Sequence, residues 1–215
     1  DEVKNHPGWT ILDRRGLGRL LGDLPLHLRR SVLDDTWGPV TRRQLLETPG
    51  EDSFIGVHTV QDRRLDGGAL LNDLGATAGR VEESTAIDLA LDRATDWPLV
   101  VLVSGRGGVG KTRLLVERLT RFQEENLGIP VLWLSPGRLI DADALRELPH
   151  TPAVIVVDDA HRLTDHLRAL LEYAKHQPGT QIVLGSRGPG ISTIRAQLVE
   201  ADVRGHQVQS VSLNE

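Results

Sequence analysis

Eight consecutive residues have the types and the spacing needed to bind phosphate. They fit the pattern G-x-x-x-x-G-K-[ST] and are Gly105, Arg106, Gly107, Gly108, Val109, Gly110, Lys111 and Thr112. Glycines let backbone N–H groups approach an anion, a lysine ammonium reaches β- and γ-phosphates, and a threonine hydroxyl can ligate Mg²⁺. The pattern predicts a nucleotide-binding loop, and we include the next residue, Arg113, in the predicted nucleotide-binding set.

The residues on either side of the loop favour this interpretation over a simple glycine turn. Residues 99–104 form an apolar run with three valines, which is typical of a strand buried on both faces. Residues 112–126 follow with a helical pattern. A helix that starts at the loop directs its unpaired N–H groups and the positive end of its dipole at an anion.

Two acidic residues follow a second apolar run. Residues 153–157 are apolar, and Asp158 and Asp159 come directly after them. Acids at the carboxyl end of a parallel strand lie where α/β sheets bind their ligands. We therefore predict that Asp158 helps to hold Mg²⁺ opposite Thr112, and that Asp159 orients or deprotonates an attacking water. The alternative is a pair of helix N-cap residues.

Arg187 and His161 are the remaining candidates. Residues 181–187 predict a further buried strand that ends in polar residues. Arg187 would emerge at the same sheet edge as the loop and Asp158, where its guanidinium could contact a γ-phosphate or pair with Asp159. The alternative is a solvated loop arginine, one of 22 in the chain. His161 follows the acids closely and could contact the γ-phosphate or lie just behind it. The predicted catalytic residues are Lys111, Asp159 and Arg187.

Composition excludes several classes of protein. The chain has 215 residues and no cysteine, so disulfides, thiolate metal sites and a cysteine nucleophile are excluded. The net charge of −5 argues against a dominant nucleic-acid surface, and no apolar run is long enough to span a bilayer. We expect a cytoplasmic protein. The chain has no methionine and begins with aspartate, so we expect it to be a piece of a longer protein.

Predicted strands begin near residues 99, 129, 153, 180 and 207, with helices between them. Strict alternation of strand and helix predicts a parallel, doubly wound sheet with right-handed crossovers. The predicted fold class is α/β, a three-layer αβα sandwich with a mostly parallel five-stranded sheet. Residues 81–215 form its core, residues 51–80 a linker or lead-in, and residues 1–50 a mainly helical segment.

The sequences GRGGVGKT, VIVVDDAH and IVLGSR, in this order, resemble the STAND-type P-loop NTPases. That class contains the NACHT and NB-ARC proteins and is similar to the AAA proteins. It belongs to the branch of P-loop NTPases that has an additional strand and a catalytic acid. The resemblance implies a sheet order of 5-1-4-3-2. It also implies ATP as the nucleotide and a switch that controls self-association or a partner protein through regions beyond residue 215. In such proteins a helical lid would follow residue 215 and supply further nucleotide contacts, so we expect slow hydrolysis without it, with the Mg²⁺ predicted above as the second cofactor. ATP is favoured over GTP because the chain has no N-K-x-D motif.

Two further resemblances concern the amino-terminal third. Phe54-Ile55-Gly56 resembles the short sequence motif that opens many AAA-like and STAND modules, although Val57 stands where arginine is usual. The side chains of Phe54 and Ile55 would either contact adenine or pack the linker against the domain. WTILDRRGLGRLLGDLP, residues 9–25, resembles the closing strand and helix of restriction-endonuclease-like domains in bacterial defence proteins. The alternatives to a switch are a nucleotide-binding scaffold with little hydrolysis and a DNA-associated AAA-like ATPase.

Overall fold

The computed structural model describes residues 53–60, 79–92 and 97–213. All of them belong to one compact unit, Ser53–Glu215. The predictions for residues 1–50, including the helical segment and the endonuclease resemblance, lie outside the described residues. Within the three described ranges, none of the helices combines the length and the apolar character needed to cross a membrane.

Strands and helices alternate along the described part of the chain. In order they are β1 (Phe54–Gly56), α1 (Val81–Leu91), β2 (Val100–Gly105), α2 (Lys111–Glu125), β3 (Val131–Leu134), α3 (Ala142–Arg146), β4 (Val154–Val157), α4 (Thr164–His176), β5 (Gln181–Ser186), α5 (Ile191–Glu200) and β6 (Val208–Leu213). Short 3-10 turns are formed by Ala160–Arg162, Gly188–Gly190 and Gly205–Gln207.

The strands form one mostly parallel sheet with the order β1-β3-β4-β5-β2-β6. The four pairs among β2 to β6 are parallel, whereas β1 is antiparallel to β3. The five parallel strands have the 5-1-4-3-2 order implied by the resemblance, with β5 inserted between β2 and β4. The α/β fold class is therefore confirmed, but within the described ranges the sheet has six strands and not five.

The sixth strand, β1, comes from residues that the sequence assigned to the linker. Phe54 pairs with Leu134, and the main-chain N–H and the hydroxyl of Ser53 both donate to the Glu147 carboxylate over 2.8 Å. Phe54 is 1% exposed and Ile55 is 6% exposed. Both side chains are used in packing, at the edge of the sheet and away from β2, so an adenine contact is not supported.

Helices cover both faces of the sheet, which gives three layers. On one face, the buried residues of α3, α4 and α5 pack against alternate strand residues such as Leu102 and Ile155. On the other face, α1 and α2 pack against the intervening residues such as Val101 and Val156. Since β2, β4 and β5 are parallel, their carboxyl ends meet at one edge of this sandwich. The predicted site residues follow these ends.

Candidate functional site

The loop between β2 and α2 adopts a conformation that only glycine reaches easily. Gly108 has φ 81° and Gly110 has φ 92°, both in the left-handed region. Gly105 is required by a close approach, since a Cβ there would lie 2.9 Å from the Leu213 carbonyl oxygen. Helix α2 begins at Lys111, so its free N–H groups face the loop. The result is a backbone cup with a helix N-terminus at its base.

The Lys111 side chain lies under this loop. It is only 6% exposed, and its Nζ donates to the carbonyl oxygens of Gly105 at 2.9 Å and Arg106 at 2.7 Å. Burial lowers the pKa of Lys111, while the negative charges of Asp158 and Asp159 act in the opposite direction. The ammonium is therefore held against the loop carbonyls, and its charge interacts with both acids.

Thr112 and Asp158 meet directly across the sheet edge. The Thr112 hydroxyl donates to Asp158 Oδ2 over 2.6 Å. The carboxylate reaches it above β5, the strand between β4 and β2, because Gly185 has no side chain: a Cβ there would lie 2.6 Å from Asp158 Oδ1. Sequence reasoning missed Gly185, although an isolated glycine in an apolar strand is a known sign of close approach.

Asp159 faces several positive or ionisable groups. Its backbone is left-handed, with φ 51°, and its N–H donates to Asp158 Oδ1 over 3.0 Å. The half-exposed carboxylate has Arg187 Nε at 3.8 Å, and His161 Nδ1 and Arg162 Nε at 4.0 Å. The Asp159 side chain accepts no capping hydrogen bond from the following 3-10 turn, which the alternative of a helix N-cap would require. The sequence did not indicate Arg162 as a neighbour of Asp159, because the 3-10 turn Ala160–Arg162 is what brings its side chain back to that carboxylate.

Arg187 spans the space between the loop and the second acid. Besides its approach to Asp159, its guanidinium carbon would lie 3.8 Å from a Cβ placed on Gly107. The side chain is 49% exposed, so it keeps room to move.

His161 lies behind this pair, and burial lowers its pKa, with Asp159 acting in the opposite direction. Arg113 lies in the first turn of α2, and Val109 packs against Gly105.

The predicted catalytic and metal-binding residues thus form one cluster. Lys111 and Thr112 start α2, Asp158 and Asp159 follow β4, and Arg187 follows β5. Chemically, the cluster offers an anion-binding cup, a hydroxyl and a carboxylate for a divalent cation, a second carboxylate, and a half-exposed guanidinium.

Comparisons with known proteins bear on the family and on the fold of the chain. Residues 76–198 match the family Novel STAND NTPase 5. The fold is similar to that of Hsp104 from S. cerevisiae, in its casein complex (TM-score 0.50, 17% identity, 76% of this chain and 30% of that chain) and in its ADP complex (TM-score 0.50, 17% identity, 75% and 30%). The Aeropyrum pernix ORC2 protein in its ADP form also matches (TM-score 0.49, 16% identity, 75% and 53%).

This chain spans about a third of the length of the Hsp104 chains, and at this identity the likeness concerns the fold alone. The sequence matches none of the curated proteins with which it was compared. The family match is different in kind, because it covers more than half of the 215 residues and includes the loop, both acids and Arg187. The chain therefore belongs to the Novel STAND NTPase 5 family.

Proposed function

We propose that this chain is a Mg²⁺-dependent ATPase module that hydrolyses ATP slowly and acts as a nucleotide-dependent switch. The observation that carries the proposal is the cluster at the sheet edge, in which the Thr112 hydroxyl oxygen lies 2.6 Å from Asp158 Oδ2, beside the glycine loop and Lys111. Membership of a STAND NTPase family supports the same conclusion.

The donor set fits Mg²⁺. The hydroxyl of Thr112 and the carboxylate of Asp158 are hard oxygen donors on neighbouring elements, and Gly185 leaves room for them. Among the described residues no group of three or more His, Cys, Asp or Glu could hold an ion alone. That suits Mg²⁺, which binds through one or two protein ligands together with substrate phosphates. When bound, the ion would neutralise charge on the β- and γ-phosphate oxygens.

The residues of the chain would divide the remaining work. The loop amides and Lys111 bind the phosphates, and Lys111, with three N–H donors, can exchange a bond to Gly105 or Arg106 for a phosphate oxygen. Asp159 orients the attacking water and accepts its proton. Arg187 lies between the loop and Asp159, so it can leave the carboxylate for a γ-phosphate and thereby report whether one is present.

Slow turnover follows from the same contacts. While the Arg187 guanidinium stays 3.8 Å from the Asp159 carboxylate, it is turned away from a γ-phosphate and competes with a water for that carboxylate. This contact also favours a second candidate function, a scaffold that binds nucleotide with little hydrolysis. The acidic balance of the chain, −5, does not favour the DNA-associated alternative.

The wider context belongs to the same proposal. We place the module in the cytoplasm, within a longer bacterial regulatory or defence protein. Its nucleotide state would control self-association or a partner protein through regions outside this chain. ATP is preferred to GTP, since the sequence lacks the N-K-x-D motif that reads guanine.

The test is to measure nucleotide binding and phosphate release by the wild-type chain. We expect ATP to bind, phosphate to be released with MgCl₂ and not with EDTA, and ATP to be preferred to GTP by at least about tenfold, the effect of one lost hydrogen bond to the base. Binding of ATP without phosphate release would favour the scaffold. Failure to bind ATP would contradict both candidates.

Gly185→Ala tests the Thr112–Asp158 pair without altering either residue. The new methyl group would lie 2.6 Å from Asp158 Oδ1, so the carboxylate must move. We expect kcat to fall by roughly tenfold or more and the Mg²⁺ concentration for half-maximal activity to rise, because a ligand displaced by about 1 Å loses its alignment. Gly128→Ala is the matched control, since its Cβ meets nothing within 4 Å. Equal rates in the two variants would contradict the assignment of Asp158.

A further inference from the structure

His161 has a buried polar atom that the site has not yet used. Its Nδ1 is buried and makes no hydrogen bond with any residue that the structure describes. The same atom lies 4.0 Å from Asp159 Oδ1, too far for a hydrogen bond but close to that carboxylate. A buried polar atom without a partner costs free energy, so such an arrangement calls for a reason.

The His161 side chain is also packed against a glycine. A Cβ placed on Gly190 would lie 2.1 Å from the His161 Cβ and 3.0 Å from its Cγ. Gly190 has φ −83°, which any residue can adopt, so the close approach and not the backbone conformation requires glycine. The Gly190 backbone therefore lies directly against the histidine side chain.

Gly190 is also the N-cap residue of α5, and it closes the 3-10 turn Gly188–Gly190 that follows Arg187. The turn Ala160–Arg162, which carries His161, contacts both Gly188–Gly190 and α5. One side chain thus lies between the second acid of the site and the start of a surface helix. Close-packed contacts of this kind transmit displacements, because packed atoms cannot be compressed.

We propose that His161 is a positioning residue that couples the Asp159 carboxylate to the N-terminal end of α5, so that the binding or loss of the γ-phosphate is passed to that helix. This inference rests on the proposed function. When Arg187 turns to a γ-phosphate, Asp159 loses a partner and is free to accept a hydrogen bond from His161. Closing the gap from 4.0 Å to about 3 Å requires the ring, and with it Gly190, to shift by roughly 1 Å.

The test compares three variants of the chain. His161→Ala removes the ring but keeps the Cβ that packs on Gly190. His161→Asn keeps a hydrogen-bonding atom near the position of Nδ1. His206→Ala is the matched control, because the turn Gly205–Gln207 precedes β6 and lies at the opposite end of the parallel strands. For each chain we would measure kcat, the Kd for ATP, the melting temperature, and amide hydrogen exchange over residues 188–200 with a non-hydrolysable ATP analogue and with ADP.

We expect the wild type, His161→Asn and His206→Ala to show different exchange in the first turn of α5 with the two nucleotides. His161→Ala should lose that difference and about tenfold in kcat, the order of effect of misplacing a general base, while its Kd for ATP changes by less than about twofold. A loss of kcat without a loss of ATP affinity indicates a positioning role. A merely structural role would instead lower the melting temperature of both His161 variants.

Three results would overturn the inference. The first is that His161→Ala still shows different amide exchange in the first turn of α5 with the two nucleotides. The second is that the wild type hydrolyses ATP but shows no such difference in exchange. The third is that both His161 variants lose kcat and melting temperature equally. Each of them leaves the proposed ATPase function intact. If the wild type fails to bind ATP, the proposed function itself fails, and this inference fails with it.

Discussion

Lys111→Ala is expected to lower the affinity for ATP by at least about 100-fold, because it would remove two charge-assisted hydrogen bonds, to the β- and γ-phosphates, of roughly 1.5–3 kcal/mol each, and every 1.4 kcal/mol is a factor of about ten. The ammonium lies under the loop and close to the anion-binding cup. No neighbouring side chain offers a second buried ammonium, since the other lysine in the described part of the chain, Lys175, is on α4 and donates to the Ala201 carbonyl oxygen.

The electrostatics of the site explain why the loss should be large. Burial lowers the pKa of Lys111, which means that the folded chain stabilises the ammonium less well than water does. A polyphosphate brings several negative charges next to this partly desolvated cation, where the attraction is screened less than in water. The same contact at an exposed lysine would contribute far less.

Titration calorimetry with ATP, and thermal melting with and without ATP, would measure the effect. At a concentration about 100 times its Kd, ATP should stabilise the wild type by about 2.7 kcal/mol, which raises the melting temperature by roughly 5–10 °C for a chain of this size. Lys111→Ala should show almost no rise. Lys175→Ala, the matched control, should behave as the wild type does. A Kd within about threefold of the wild-type value would show that the loop is not the phosphate site.

The parts of the site that the sequence predicted are contiguous in the chain. The glycine loop with Lys111 and Thr112, and the pair Asp158 and Asp159 after an apolar run, are local patterns whose chemistry follows from residue type and spacing. The order of the parallel strands was reached through the family resemblance, since alternation alone gives parallel strands without saying which are neighbours.

The missed features depend on contacts between distant segments. Strand β1 has only three residues, too few for a period-2 pattern, and it is fixed by pairing with β3. The need for glycine at position 185 arises because Asp158 crosses above it from the neighbouring strand, and at position 190 because His161 packs against it. At position 185 the sequence offers only the general signal of an isolated glycine in an apolar strand, and at position 190 the glycine lies in a loop pattern, Gly188-Pro189-Gly190, that gives no reason to single it out.

Asp159→Asn is expected to lower kcat by at least about 100-fold while changing the Kd for ATP by less than about threefold, since a positioned general base contributes roughly 10²–10⁴ and takes little part in binding phosphate. Asparagine keeps the size of the side chain and its ability to accept a hydrogen bond, but it is far too weak a base to take a proton from water. The substitution therefore removes proton transfer and leaves the packing unchanged.

The backbone makes asparagine the right replacement and supplies an unusual control. Asp159 has φ 51°, a conformation that asparagine tolerates nearly as well as aspartate, whereas alanine would add strain. Asp202 has φ 52° and is exposed between α5 and β6. Asp202→Asn makes the same chemical change in the same conformation away from the site, so it should leave both kcat and Kd unchanged.

Single-turnover phosphate release distinguishes the ATPase from the scaffold. The neutral amide introduced by Asp159→Asn cannot form an ion pair with Arg187, so the guanidinium becomes free to turn to the γ-phosphate, and the affinity for ATP should stay the same or rise slightly as release slows. Equal release rates in Asp159→Asn and the wild type would remove Asp159 from the chemistry and favour the scaffold. A fall in rate with a matching loss of ATP affinity would instead assign Asp159 to binding, because the same contact would then act in both the ground state and the transition state.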